Sequence, residues 1–481
     1  MSTTSRREQL AALSPDALVA LVLQQDARIA QLEQQLRQRE ARLNQNSKNS
    51  GKPPSQDWPF QPTPEPPKAQ RKGERKSGGQ PGHEGKGLSK AHTPDQVVLH
   101  QPERCAHCGY DLGQEPSMPA GLWQVFDLPA DLKLVVTEHR SHKATCPWCR
   151  QESRAAVADW LSEETTCLYG PRCRALGVYL MGQQHLPFAR IQALFLDLFG
   201  SAPSQGTLWN WQQQAHHCLA PIETAIAKAL VSSPIAGADE TPVRGAPGVG
   251  WIHVLCNERW TWYGAHTKRG REAMDCFGLL GRFTQAGGVL MSDCLASYAI
   301  YGKARALCNA HLLRELRAVE EAGHTWATSM ARLLLSVKER VASCGAPLAR
   351  SALLSAWRWF GRCLALGGRE NAAAFPARSA SDVDKSSCLL SRLRARRDEY
   401  LRFASVAGVW FDNNQSERAL RMVKLHQKVS GCFRSLLGAQ VLCRVRGYLS
   451  TLKKQGQDVF AALVSVMEGR PLLPRLLAQN N

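Results

Sequence analysis

No uninterrupted apolar run in these 481 residues approaches the ~20 needed to span a bilayer. The start, Met-Ser-Thr-Thr-Ser-Arg-Arg, is polar and lacks an apolar stretch of signal-peptide character. Lipidation motifs and a basic amphipathic anchor are also missing, which argues against a membrane partner. Carboxylates are in short supply: Asp+Glu number 41 against 60 Lys+Arg, a formal net charge of +19. That balance favours a polyanionic partner. Apolar residues are almost absent from residues 46–92, a stretch rich in Pro, Gly, Lys and Arg. It cannot bury enough surface to repay ordering, so a disordered basic linker is expected, with Lys68, Arg71, Lys72, Arg75, Lys76 and Lys86 able to lie along phosphates. Cysteine, by contrast, is plentiful at 16. In a chain without an export signal these read as reduced thiols and metal ligands, and the expected location is cytoplasmic.

The remaining composition describes a multidomain α+β protein. Residues 1–45 contain Val22, Ile29, Leu36 and Leu43 at heptad spacing, interleaved with Leu18, Gln25, Leu32 and Arg39. A coiled-coil, self-associating helix is expected there, hence a homo-oligomer. Residues 93–160 carry Cys105-Ala-His-Cys108 and Cys146-Pro-Trp-Cys149. Two Cys-x-x-Cys knuckles supply four thiolates for a structural Zn²⁺ in a zinc-ribbon-like module. His107, His139 and His142 compete as ligands, and the wide separation of the knuckles predicts an inserted hairpin near Val135–His139.

Residues 165–230 read as helical: 172–184, 188–199 and 204–214, with Ser204 as an N-cap after the Gly200 break. The pair joined by that break is helix-turn-helix-like and suited to DNA, but Trp209 and Trp211 fit a core equally well.

From residue 235 the pattern becomes β-β-β-α-β-α-β: strands at 235–244, 251–257 and 261–266, a helix at 271–283, a strand at 288–293, a short helix near 296–301 and a strand at 304–308. This is the order of an RNase H-like α/β core, assigned to 231–316 and 406–435. Residues 312–405 read as largely helical, interrupted at 371–384, and a C-terminal helical region is expected over 436–481.

Three acids stand out in this frame. Asp239 and Asp293 close short apolar runs, and Glu417 lies one turn into a basic helix. Two strand-end aspartates and a helical glutamate provide the hard oxygens that two Mg²⁺ ions need beside a phosphodiester. Strand alternation forbids Asp239 and Glu240 from sharing a face, so Glu240 is the alternative. Asp412, with Gln415 three residues on, reads as an N-cap with its box partner. His311 and Glu315 share a helix face and are open to either a metal or a hydrogen-bonding role. Cys308 and His311 invite a second zinc, yet no further ligand pair lies near them. Lys268, Arg269, Arg271, Arg418, Arg421, Lys424 and Lys428 flank the acids as a candidate phosphate-binding stripe. Two other functions share these features: a zinc-containing sequence-specific DNA-binding regulator, and an RNase H-like nuclease that cuts without joining.

Ala-Asp-Glu-Thr-Pro-Val-Arg (238–244), Ser-Asp-Cys-Leu-Ala-Ser-Tyr (292–298), Cys-Asn-Ala-His-Leu-Leu-Arg-Glu-Leu (308–316) and Asp-Asn-Asn-Gln-Ser-Glu-Arg-Ala-Leu-Arg (412–421) resemble the large transposase of the insertion-sequence-66 family. The resemblance extends over the N-terminal helix, the Asn-Ser-Lys-Asn-Ser-Gly-Lys-Pro-Pro-Ser linker and both knuckles. It implies a DDE transposase with Asp239, Asp293 and Glu417 as the catalytic triad and Mg²⁺ dependence. Binding to terminal inverted repeats and cooperation with small accessory proteins of the same element are implied as well.

Overall fold

The computed structural model describes residues 14–43, 90–114, 118, 122–129, 131–158, 161, 167–245, 250–301, 304–374 and 385–475. The basic linker, apart from its end, and most of the interruption at 371–384 lie outside them. The chain divides into two compact units, Pro59–Glu138 with Leu198–Gly200, and the remainder.

In the smaller unit the described residues form turns, with one bridge between Arg104 and Asp111 closing the first knuckle. The Cys105 N–H donates to Tyr110 O at 2.8 Å and the Gly109 N–H to Cys105 O at 2.9 Å. Gly109 sits at φ +76°, a left-handed position that glycine adopts without strain.

The larger unit begins with α1 (Pro15–Leu43), whose Val22, Ile29, Leu32 and Leu36 are all exposed. The hairpin expected near Val135–His139 does not form. Instead β1 (Lys143–Thr145) and β2 (Glu152–Arg154) pair antiparallel around the second knuckle. The tight Cys146–Cys149 turn folds its own flanks together, whereas residues 135–139 have no such turn beside them. Four helices follow: α2 (Pro171–Gly182), α3 (Phe188–Phe199), α4 (Gln205–Cys218) and α5 (Ala220–Val231). Ser204 caps α4 as expected, its side chain accepting from the Thr207 N–H at 3.0 Å. The core reading holds for Trp211. It is buried against Gly177 of α2, where an added Cβ would come within 2.7 Å of the indole.

The centre is a five-stranded mixed sheet: β3 (Ile235–Pro242), β4 (Trp251–Cys256), β5 (Thr261–His266), β6 (Val289–Ser292) and β7 (Arg305–Leu307), in the order β5-β4-β3-β6-β7. β3 runs antiparallel to β4 and parallel to β6, and β7 is parallel to β6. The β-β-β-α-β-α-β order matches the sequence pattern. The helix expected over 271–283 is two helices, α6 (Arg271–Phe277) and α7 (Leu279–Gln285), because Gly278 takes a left-handed conformation at φ +64° between them. A 3₁₀ turn over Ala296–Ile300 connects β6 to β7.

After β7 come α8 (Asn309–Glu321), α9 (Thr325–Cys344), α10 (Arg350–Ala374), α11 (Lys385–Ala395) and the short α12 (Arg397–Tyr400) and α13 (Arg402–Ser405). They close a core around Trp326, Met330, Leu333, Phe360 and Leu389 that is continuous with Met291 and Leu307 of the sheet. The chain then returns through α14 (Asn414–Ser430), α15 (Leu436–Lys454) and α16 (Val459–Met467). On α14 the buried positions Ser416, Leu420, Val423 and His426 recur at helical spacing. Leu420 and Val423 pack with Leu442 of α15 against Ile252, Val254 and Tyr263.

Gly237 decides how closely α14 approaches β3. A Cβ at that position would lie 2.5 Å from Asn413 Oδ1 and 2.6 Å from Ser416 Oγ. Gly237→Ala is therefore expected to destabilise the fold by about 1–3 kcal/mol, the usual range for overpacking a filled site. Denaturant unfolding checks this, and an unchanged midpoint would show that the helix can yield.

Candidate active site

Asp239 stands on β3 opposite Val254 of β4, and on the same face as Gly237 by strand alternation. Its Oδ1 accepts from the Glu240 N–H at 2.9 Å. Asp293 follows the last residue of β6, and its Oδ1 accepts from the Leu295 N–H at 2.9 Å, an Asx turn that ends the strand. Because β3 and β6 are parallel neighbours, both aspartates emerge towards the same edge of the sheet. Glu417 lies in the first turn of α14, where the helix dipole favours a negative charge. The start of α14 is tied to β3 by Asn413, whose Nδ2 donates to Ala238 O at 2.9 Å, and to β7's end by its N–H on Cys308 Sγ at 3.2 Å.

These constraints bring Asp293 and Glu417 within electrostatic reach of Asp239. Burial is the first cause that holds the Asp239 carboxyl well above the usual carboxylate range; the negative charges of Glu240, Asp293 and Glu417 push it further, against the Glu240 N–H.

Glu240 is differently placed. Its Oε1 accepts from Arg269 Nε at 2.9 Å and its Oε2 from the Tyr298 hydroxyl. Burial raises its carboxyl, and both of these partners oppose the rise. With both oxygens engaged, Glu240 is a structural anion. Arg269 is correspondingly occupied, lying over the Trp251 ring at 5.0 Å.

The remaining basic residues divide in two. Arg271 pairs with Asp275 at 3.1 Å, and Lys424 Nζ donates to Pro242 O at 2.5 Å. Lys268, Arg418, Arg421 and Lys428 are exposed, although Arg418 Nε also reaches Asn414 O at 3.3 Å.

Several neighbours of the acids behave otherwise than the sequence implied. Helix α14 starts two residues beyond Asp412, which accepts from the Asn414 N–H at 3.1 Å without occupying the cap position. Gln415 does not fold back on it; its Nε2 donates across to Asn257 O at 2.7 Å, because that strand-end carbonyl faces the helix. Glu315 pairs with Arg392 of α11, so it is not a partner for His311. His311 instead faces Glu417, with Nδ1 3.6 Å from Oε1, while Arg314 Nη2 is 3.8 Å from Oε2. Cys308, His311 and Glu417 thus form a group that the short-range sequence pattern could not show. Its one legible sign was Cys-x-x-His at the start of α8.

At the knuckles, neighbouring backbone N–H groups hold two thiols below their ordinary range, those of His107 and then Cys108 for Cys105, and those of Cys149 and Trp148 for Cys146. Lowered thiols of this kind are prepared for metal ligation.

The raised Asp239 carboxyl sets a pH dependence. An acid whose folded pKa exceeds its unfolded value of about 3.9 contributes stability that is present below that value and lost as pH rises through the folded pKa. Asp239→Asn is therefore expected to raise the melting temperature of metal-free protein at pH 7.5 and to have no such effect near pH 4. Equal melting at pH 7.5 would mean that neither burial nor the neighbouring acids penalise the charged Asp239 carboxylate.

Residues 166–441 match the family described as Transposase IS66 family, and residues 4–89 match a family of unknown function (DUF6444). No curated protein matches the chain. The first match spans more than half of the 481 residues and contains Asp239, Asp293 and Glu417. The chain belongs to the IS66 family of transposases.

Proposed function

We propose that this transposase acts on the terminal inverted repeats of a mobile element, cutting one DNA strand and joining the freed 3′-hydroxyl to target DNA. In this reading Asp239, Asp293 and Glu417 hold two Mg²⁺ ions beside the scissile phosphate. The observation that carries it is placement: β3 and β6 run parallel in a register that sets Asp239 beside Asp293, and Asn413, holding Ala238 O at 2.9 Å, brings the first turn of α14 with Glu417 to the same strand. Three carboxylates are the hard oxygen donors that Mg²⁺ prefers. When bound, paired ions activate the attacking hydroxyl and stabilise the leaving oxygen. Asp239, whose carboxyl feels the charge of both other acids, is the ligand we assign to both ions, with Asp293 and Glu417 each completing one.

The strand order, with β3, β6 and β7 parallel and β4 and β5 antiparallel, supports an RNase H-like core over 231–316 and 406–435 with the helices of 317–405 as an insertion. We assign Lys268, Arg418, Arg421 and Lys428 to the DNA backbone, since their exposure leaves them able to reach phosphates. Arg269, Arg271 and Lys424 shape the protein around them. Cys105 with Cys108, and Cys146 with Cys149, are read as structural Zn²⁺ ligands. The exposed heptad residues of α1 support self-association.

Asn at Asp239 or Asp293, or Gln at Glu417, is expected to lower Mg²⁺-dependent nicking of labelled element ends by more than about a hundredfold, the scale of losing one electrostatic contributor. Binding of those ends should survive. Strand transfer retained by Asp293→Asn would contradict the assignment, and nicking without joining in the unaltered protein would mark a nuclease. Neutralising Arg418 and Arg421 together should weaken binding to all DNA sequences and reduce the slope of log K against log salt by about 0.9 per lost phosphate contact. An unchanged slope would place those side chains away from DNA.

A further inference from the structure

We infer that Cys308, His311 and Glu417 form a second cation site, for a borderline-soft divalent ion such as Zn²⁺, and that this site shares Glu417 with the Mg²⁺ cluster. One ligand atom from each residue lies within 4.8 Å of the other two. His311 Nδ1 and Glu417 Oε1 are 3.6 Å apart. Ligands held at 2.0–2.3 Å by a tetrahedral ion sit roughly 3.3–3.8 Å from one another, so this pair already has the separation that zinc imposes.

The hydrogen bonding points the same way. His311 Nδ1 and Glu417 Oε1 are both buried without a hydrogen-bond partner. Buried polar atoms are nearly always paired, and 3.6 Å is too long for these two to pair with each other. Two orphaned donor atoms aimed at one point, with a thiol beside them, are explained by an ion between them. Arg314 faces Oε2, which leaves Oε1 for that ion.

The scaffold fixes the ligands. Cys308 is the N-cap residue of α8 and His311 lies in that helix's first turn, so the two side chains fall on one side. The Asn413 N–H on Cys308 Sγ orients the sulfur and favours its thiolate, as outer hydrogen bonds do around metal ligands. The fourth coordination position opens on a pocket that Asp293, Cys294, Glu315 and Tyr400 line together with Cys308 and His311. Thiolate, imidazole and carboxylate together select zinc over magnesium, whose ligands are oxygen alone.

Binding replaces the Cys308 thiol proton, which leaves to solvent, while His311 ligates as the neutral imidazole. Affinity therefore falls as pH falls. Resting on the reading of Glu417 as a Mg²⁺ ligand, occupancy here withdraws an oxygen from the catalytic cluster. Zinc then acts as an inhibitor of strand cleavage.

The test is Zn²⁺ stoichiometry by equilibrium dialysis on the full-length chain, its Cys308→Ser variant and its His311→Gln variant, without DNA. The unaltered chain should bind one ion more than either variant, with the knuckle cysteines contributing equally to all three. Half-exposed His311 makes His311→Gln the variant least disturbing to the fold, and its far-ultraviolet circular dichroism should match the unaltered chain. Equal stoichiometry in all three would overturn the site, whatever the catalytic activity proves to be. In a separate nicking assay at fixed Mg²⁺, the zinc concentration that halves each protein's own zinc-free rate should rise at least about tenfold in Cys308→Ser. An unchanged value there, with the extra ion present, would overturn the inhibitory role.

Discussion

The approach of α14 onto β3 is the contact on which the rest of the site depends. At Gly237 no side chain intervenes, so Asn413 reaches the Ala238 carbonyl and Ser416 settles within 3.5 Å of Cys256 Sγ. One turn further along α14 is Glu417. A helix held by its side-chain amide to a strand carbonyl cannot rotate or slide without breaking a buried hydrogen bond, which costs about 1–3 kcal/mol. Two residues beyond Gly237 on the strand stands Asp239. The same close contact that builds the core therefore sets the separation between two acids distant in sequence.

Holding those acids together opposes folding. Asp239 feels the charges of Glu240, Asp293 and Glu417, and these are matched only in part, by the Arg269 that grips Glu240 at 2.9 Å and the Arg314 that lies 3.8 Å from Glu417. Functional sites commonly retain such unfavourable charge because a ligand relieves it. Here the surrounding apolar packing of Ile252, Val254, Leu420 and Val423 supplies the compensation. The chain belongs to a family of transposases, and a phosphodiester brought beside these carboxylates would need cations between them for the same electrostatic reason.

Strand-forming runs that end in an acid were easy to read, since an apolar run followed by Asp marks where a strand leaves the core. That holds for Asp293, which directly follows β6; Asp239 instead lies inside β3, whose pairing with β4 continues to Pro242, and it reaches the level of Asp293 through the parallel register of β3 and β6. Capping at Ser204 was equally local and equally legible. What could not be read depended on partners far along the chain. Gln415 finds the Asn257 carbonyl instead of its own helix start, and Glu315 finds Arg392. Cys308 and His311 were visible as a pair, but their third member arrives on a different helix. Gly278 broke a helix because glycine is tolerated inside a helical pattern, and nothing in composition says when it will turn left-handed.

Anomalous diffraction from crystals of the full-length chain grown with Mn²⁺ in place of Mg²⁺ tests the central claim most directly. Two manganese peaks about 4 Å apart, ligated by Asp239, Asp293 and Glu417, are the result expected. Saturating Mn²⁺ with no anomalous peak within reach of these three carboxylates would contradict it.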